Sequence, residues 1–220
     1  MVNGANAALL IKQNGEPEAI QFRDALWDEG TGSFTLRGLL RGRRGTGVFT
    51  SGHTAVETFL LLDPAWTEVA IMPLGDLNAT RQWRAVSVGS VFEDAEVQHR
   101  VMTGRDLKPY APWNVKAAAD GGDIVITWIR RTRIGGELKD GTGTVPLAEA
   151  SEAYEVDILA APGGAVLRTL ASTSESATYA AADIATDFGT LPATLSLAVY
   201  QLSEVAGRGF PRAVTVEAVT

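Results

Sequence analysis

The chain has 220 residues, 45% hydrophobic and 20% charged, with no cysteine. The length suits one or two domains, and the composition is that of a globular protein rather than a disordered one. Nineteen basic against 26 acidic side chains leave a net charge of −7, which argues against a general nucleic-acid binder, because phosphate affinity grows with accumulated Lys and Arg. The absence of cysteine removes thiolate nucleophiles, disulfide frameworks and thiolate metal sites. The opening MVNGANAALLIKQNG has no basic n-region and only a short apolar run, Ala7 to Ile11, so neither a signal peptide nor a membrane anchor is expected there. No later apolar run approaches the roughly 20 residues a bilayer requires. We therefore expect a protein made in the cytoplasm, with no membrane insertion by this chain.

Almost every segment reads as strand, because short β-branched and aromatic runs recur between Gly, Pro, Asp and Asn. In the first half, strands are expected over 7–12, 18–27, 32–40, 58–62, 68–73, 81–87 and 96–102. Asp28-Glu29-Gly30-Thr31-Gly32 is a hairpin turn, and Ser51 to Thr58 a turn or short helix. These strands predict an N-terminal antiparallel β domain, barrel or sandwich, over 1–106. LKPYAPWN, residues 107–114, carries two prolines and reads as a stiff linker.

The second domain is placed at 112–220. Its strands are expected at 112–118, 123–130, 154–159, 165–170, 176–181, 194–202 and 213–219. DIVITWIR sets Ile124, Ile126 and Trp128 on one face. YEVDIL sets Tyr154, Val156 and Ile158 against Glu155 and Asp157, a pattern with one wet face. Seven short strands with an early buried Trp suggest a Greek-key β-sandwich. Trp128 on the second strand, Tyr154 opening the third and the long strand LSLAVYQLS before a Gly-rich turn make it resemble a fibronectin type III domain. Without a cysteine pair an antibody-type domain fits less well. RRTRIGGELKDGTGTVP, 130–146, is polar and Gly-rich and reads as a long loop.

No motif supports catalysis, a metal or a cofactor. His53 and His99 have no partner at a metal-ligand spacing, and they read as a turn or packing residue and a strand-surface residue. Ser51-Gly52-His53 lacks the G-x-S-x-G elbow. The carboxylate pairs Asp28-Glu29, Glu93-Asp94 and Asp183/Asp187 read as solvated turns. LRGLLRGRRGTGVF, 36–49, has neither the Lys-Ser/Thr of a phosphate loop nor a βαβ setting. Its glycines allow a turn after a strand ending near Leu40, and its arginines present forked donors suited to carboxylates, the chain's own or a neighbour's. Arg37, Arg41, Arg43, Arg44 and the second cluster Arg130, Arg131 and Arg133 are therefore candidate protein-docking residues. Trp66, Trp83 and Trp113 are candidate glycan-stacking residues.

Seven segments keep a common order: AIQFRDALW (19–27), LRGLLRGRRGTG (36–47), HTAVETFLLLD (53–63), DLKPYAPWNVKA (106–117), ITWIRRTRIGGEL (126–138), VPLAEASEAYEVDIL (145–159) and VYQLSEVAGRGFPRAVTV (199–216). As an ordered set they resemble the C-terminal part of the tail-tip hub, or megatron, of gene transfer agents and siphophages. That resemblance implies a non-enzymatic virion protein of the tail tip or baseplate, a homo-oligomer, three copies around the tail axis. It would dock the hub, the distal tail protein and tail fibres, and help attachment to a host-surface glycan or receptor. The family's larger members carry a TIM-barrel-like region upstream, so activity belonging to that part is not carried over. The alternative is a carbohydrate-binding or glycan-degrading tail protein; DNA contact through Arg41, Arg43 and Arg44 is a third, narrower reading.

Overall fold

In the computed structural model, residues 5–65, 71–136 and 144–218 are described. The chain divides into two compact units, Met1–Asp106 and Leu107–Thr220. Both are built from antiparallel sheet. The only α-helix among the described residues, α1, is Ala181–Phe188, and no helix there is long and apolar enough to cross a membrane.

The first unit holds β1 (Ala7–Ile11), β2 (Pro17–Gln21), β3 (Asp24–Asp28), β4 (Ser33–Arg37), β5 (Leu40–Arg43), β6 (Thr58–Leu61), β7 (Thr80–Arg84) and β8 (Val97–Val101). Four of them form a sheet in the order β5-β2-β1-β6, while β3–β4 and β7–β8 are separate hairpins. The two long strands expected over 18–27 and 32–40 are each divided. The first breaks between Gln21 and Asp24. The second breaks at Gly38, whose φ of 64° lies in the left-handed region and where a Cβ would come within 2.8 Å of the Arg23 Cβ. A glycine there lets the chain leave the hairpin and return to the sheet edge as β5. Arg41 and Arg43 consequently lie within a strand, not in the turn that follows it, a correction to the expected boundary. Residues 51–57 form neither helix nor strand; of the strand expected at 68–73, residues 68–70 lie outside the described residues and 71–73 form no strand.

Pairing fixes what the first sheet buries. In the β1–β2 register Ala8 faces Ile20 and Leu10 faces Glu18, so these four side chains share one face. Ala8, Ile20 and Phe22 form the core there, with Leu10 and Leu36 packed against it. Glu18 sits in the same row and is 0% exposed. Gln21, on the opposite face, is also buried, so β2 is covered on both sides.

The second unit holds β9 (Trp113–Asp120), β10 (Asp123–Ile129), β11 (Tyr154–Leu159), β12 (Val166–Ser172), β13 (Ser176–Tyr179), β14 (Thr194–Ser203), the two-residue β15 (Gly207–Arg208) and β16 (Arg212–Glu217). One sheet runs β13-β10-β9, and the other β12-β11-β14 with β15 and β16 along the far edge of β14. Ile124, Ile126, Trp128, Ala177 and Tyr179 from the first sheet meet Tyr154, Val156, Ile158, Leu195, Leu197 and Val199 from the second. Trp128 and Tyr154 touch edge to face at 5.2 Å. Each large apolar side chain buried this way contributes about 1.5–3 kcal/mol. This is a Greek-key β-sandwich of the fibronectin type III kind. The backbone N–H of Phe210 donates to the Pro109 carbonyl (2.9 Å), which ties the proline-containing segment to this unit.

Two local expectations are corrected in the second unit. Asp183 and Asp187 stand on α1, not in a solvated turn, and both bind Arg168: its Nε donates to an Asp187 oxygen at 2.7 Å, and its Nη1 lies 3.1 Å from Asp183. Ile184, between them in sequence, enters the core, which is why a helix rather than a turn closes this end. Asp157 is not on a wet face. It is buried, accepting from Arg208 at 2.7 and 3.0 Å and from Thr169 at 2.6 Å. Burial pushes its carboxyl up, but these donors outweigh that and hold it below the usual carboxylate range.

Candidate functional site

The densest polar cluster of the first unit is centred on Glu18. Its Oε1 accepts from Arg41 Nε (2.7 Å) and from the Gly42 N–H (2.9 Å). Its Oε2 faces Arg41 Nη2 at 2.5 Å and His53 Nε2 at 2.8 Å. Arg41 therefore grips it in the bidentate fork that guanidinium geometry favours, and Nη2 donates as well to the Thr50 carbonyl (2.9 Å). Burial pushes Glu18 up, but the Arg41 hydrogen bonds and the Gly42 N–H prevail, so its carboxyl lies below the ordinary value. Both oxygens are occupied, so the group is built to hold a charge in place rather than to exchange a proton with a substrate.

His53 extends the cluster. Its Nδ1 lies 2.6 Å from Glu57 Oε2 and its Nε2 3.0 Å from the Phe49 carbonyl. Glu57 also accepts from the Thr54 N–H (2.7 Å). The hydrogen bond to Glu57 raises the His53 pKa against the opposing effect of burial, and the Phe49 carbonyl and Glu18 add to the rise. The turn between β5 and this segment is pinned by Thr46, whose hydroxyl accepts from the Ala19 N–H (2.9 Å) and donates to the Arg43 carbonyl (2.7 Å).

The candidate docking arginines separate into two groups. Arg41 is committed to Glu18, Arg43 donates to Gln21 (3.0 Å), Arg130 to Glu152 (2.9 Å) and the Val145 carbonyl (2.8 Å), and Arg133 to Glu149 (3.0 Å). Arg37 and Arg44 have no side-chain partner among the described residues, and Arg131 lies over the Tyr110 ring at 5.4 Å. Among the tryptophans, Trp66 lies outside the described residues. Trp83 is 40% exposed on β7, and Trp113 is 56% exposed with the Arg212 guanidinium 5.1 Å from its ring. His99 sits exposed on β8.

Sequence reasoning missed two features. One is the pairing of His53 with Glu18 and Glu57; the H-x-x-x-E spacing of 53 and 57 was its only local sign. The other is the tip of the β3–β4 hairpin, where Trp27 pairs directly across from Phe34. Their rings are 4.8 Å apart, 53% and 64% exposed. The hairpin turn is legible, but alternation alone does not say which face is left uncovered.

A family model described as "Rcc01698-like, C-terminal" matches residues 1–60. That stretch contains the whole Glu18–Arg41–His53–Glu57 cluster and the β3–β4 hairpin. No curated protein matches the chain. Among solved structures, the extracellular region of rat CD45, domains d3-d4, is similar at 12% identity, over 76% of this chain and 79% of that one, with a TM-score of 0.34.

Proposed function

We propose that this chain is a non-enzymatic structural protein of the tail tip of a siphophage or gene transfer agent, joining the hub to peripheral tail proteins. The observation that carries the reading is the exposed aromatic tip of the β3–β4 hairpin, inside the stretch matched by the Rcc01698-like model. Large aromatic side chains left exposed beside the turn of a hairpin are suited to anchor a protein interface. Arg37, Arg44 and Arg131, which pair with no acid among the described residues, are available to acidic neighbours. The ordered sequence resemblance to tail-tip hubs supplies the particle. The test is mass spectrometry of purified particles: the chain is expected in intact particles and to co-purify with hub and distal tail proteins. Recovery solely as a free cytoplasmic monomer would sink the proposal.

Trp83, exposed on β7, favours a second reading, contact with a surface glycan by ring stacking. Glycan-array binding that disappears in Trp83→Ala would support it, and binding unchanged by that substitution would remove it.

A further inference from the structure

We propose that the imidazolium of His53 clasps the connection between β5 and β6 onto the buried Glu18 of β2, so that loss of its proton opens that connection. Both ring nitrogens face only acceptors: Nδ1 meets Glu57 Oε2 at 2.6 Å, and Nε2 meets the Phe49 carbonyl at 3.0 Å and Glu18 Oε2 at 2.8 Å. A neutral imidazole carries one N–H and one lone pair. In either tautomer that lone pair would point at a carboxylate or carbonyl oxygen. Only the doubly protonated ring satisfies both sides.

The surrounding charges agree with this. Glu18 comes from β2 and Glu57 from the connection itself. Arg41, on β5, neutralises Glu18 from the other side. Lys12, just after β1, and Arg105 lie over the Phe49 ring at 5.6 and 4.4 Å, beside the carbonyl that His53 binds. These cations do not displace the imidazolium, because Glu57 is left for it and for the Thr54 N–H. The clasp also has little to share its load with. From Ser51 to Glu57, every hydrogen bond among the described residues has His53 or Glu57 as a partner.

The sign of the pH dependence follows. The native imidazole binds its proton more tightly than the free one, so the clasp is fully closed below about 6.5, the value of an unperturbed imidazole. It weakens as pH rises from there through the raised native value.

The experiment is 15N NMR of the imidazoles in the full chain, with amide hydrogen exchange followed over the same pH range. The chain has two histidines, and His53→Gln assigns the signal. The expected result is a His53 midpoint above about 6.5, with both ring nitrogens protonated below that midpoint. Exchange of the 51–57 amides, corrected for its intrinsic pH dependence, should rise about tenfold per pH unit between the free and native midpoints. In His53→Gln that exchange should be fast and insensitive to pH. Glu57→Gln keeps the shape but removes one charge, and should lower the midpoint, so the idea stays testable if His53→Gln fails to fold. A midpoint at or below about 6.5, a midpoint unmoved by Glu57→Gln, or protection of 51–57 independent of pH would each overturn the proposal.

Discussion

In the second unit twelve buried residues from two facing sheets and α1 form one apolar cluster. In the first unit three do so, and the next place in the same row of the sheet is taken by the carboxylate of Glu18. Apolar burial is non-directional and tolerates shape-conserving change. A buried, fully bonded carboxylate is directional, and removing any one partner leaves a charge stranded. The units should therefore fail differently: the second through lost volume, the first through lost charge pairing and with a marked dependence on pH.

The largest effect is expected from Trp128→Ala. It opens the middle of the sandwich and should cost about 3–5 kcal/mol, read as lost amide protection across β10, β11 and β14 while β1 and β2 keep theirs. Next comes Glu18→Ala, which strands Arg41 and His53 and should cost about 3 kcal/mol, in the first unit alone. The wild-type counterpart appears in acid. The native Glu18 carboxyl sits below its unfolded value, so its contribution is present above the ordinary carboxylate range and is lost as pH falls through the depressed native value. If acid and Glu18→Ala unfold both units together, the contrast fails.

Gly42→Ala should be smaller. The backbone there has φ 60°, and a Cβ would lie 2.7 Å from the Gly47 Cα. The left-handed backbone alone costs about 1–2 kcal/mol, visible as a lower denaturation midpoint for the first unit. The smallest effect on stability, about 1 kcal/mol or less, is expected from Trp27→Ser with Phe34→Ser, since both rings are exposed and only their mutual contact is lost. That pair should instead abolish binding to tail partners. A large stability loss there would mean the rings belong to the core.

The sandwich was the legible part of the fold. In DIVITWIR and YEVDIL, strict alternation placed Ile124, Ile126, Trp128, Tyr154, Val156 and Ile158 on the buried faces where they lie. Asp157 defied the same alternation because its partner Arg208 comes from β15, 51 residues away. The helix at 181–188 escaped because eight residues give barely two turns of periodicity, and the asparagine-like turn character of its aspartates dominated the reading. In the first unit the hairpin turn at 28–32 was plain, but the splitting of two strands depended on local conformation at Arg23 and Gly38. The Glu18–Arg41–His53–Glu57 cluster was the least legible feature. Glu18 meets Arg41 and His53 from 23 and 35 positions away, and a glutamate in a strand looks the same on paper whether its row faces core or water.

The most direct test of the proposed role is cryo-EM of purified particles carrying either the wild-type chain or the Trp27→Ser, Phe34→Ser variant. The expected result is wild-type density at the tail tip, with Trp27 and Phe34 buried against a neighbouring tail protein, and loss of that density in the variant. Wild-type particles without the chain, or a variant retained at full occupancy, would contradict the account.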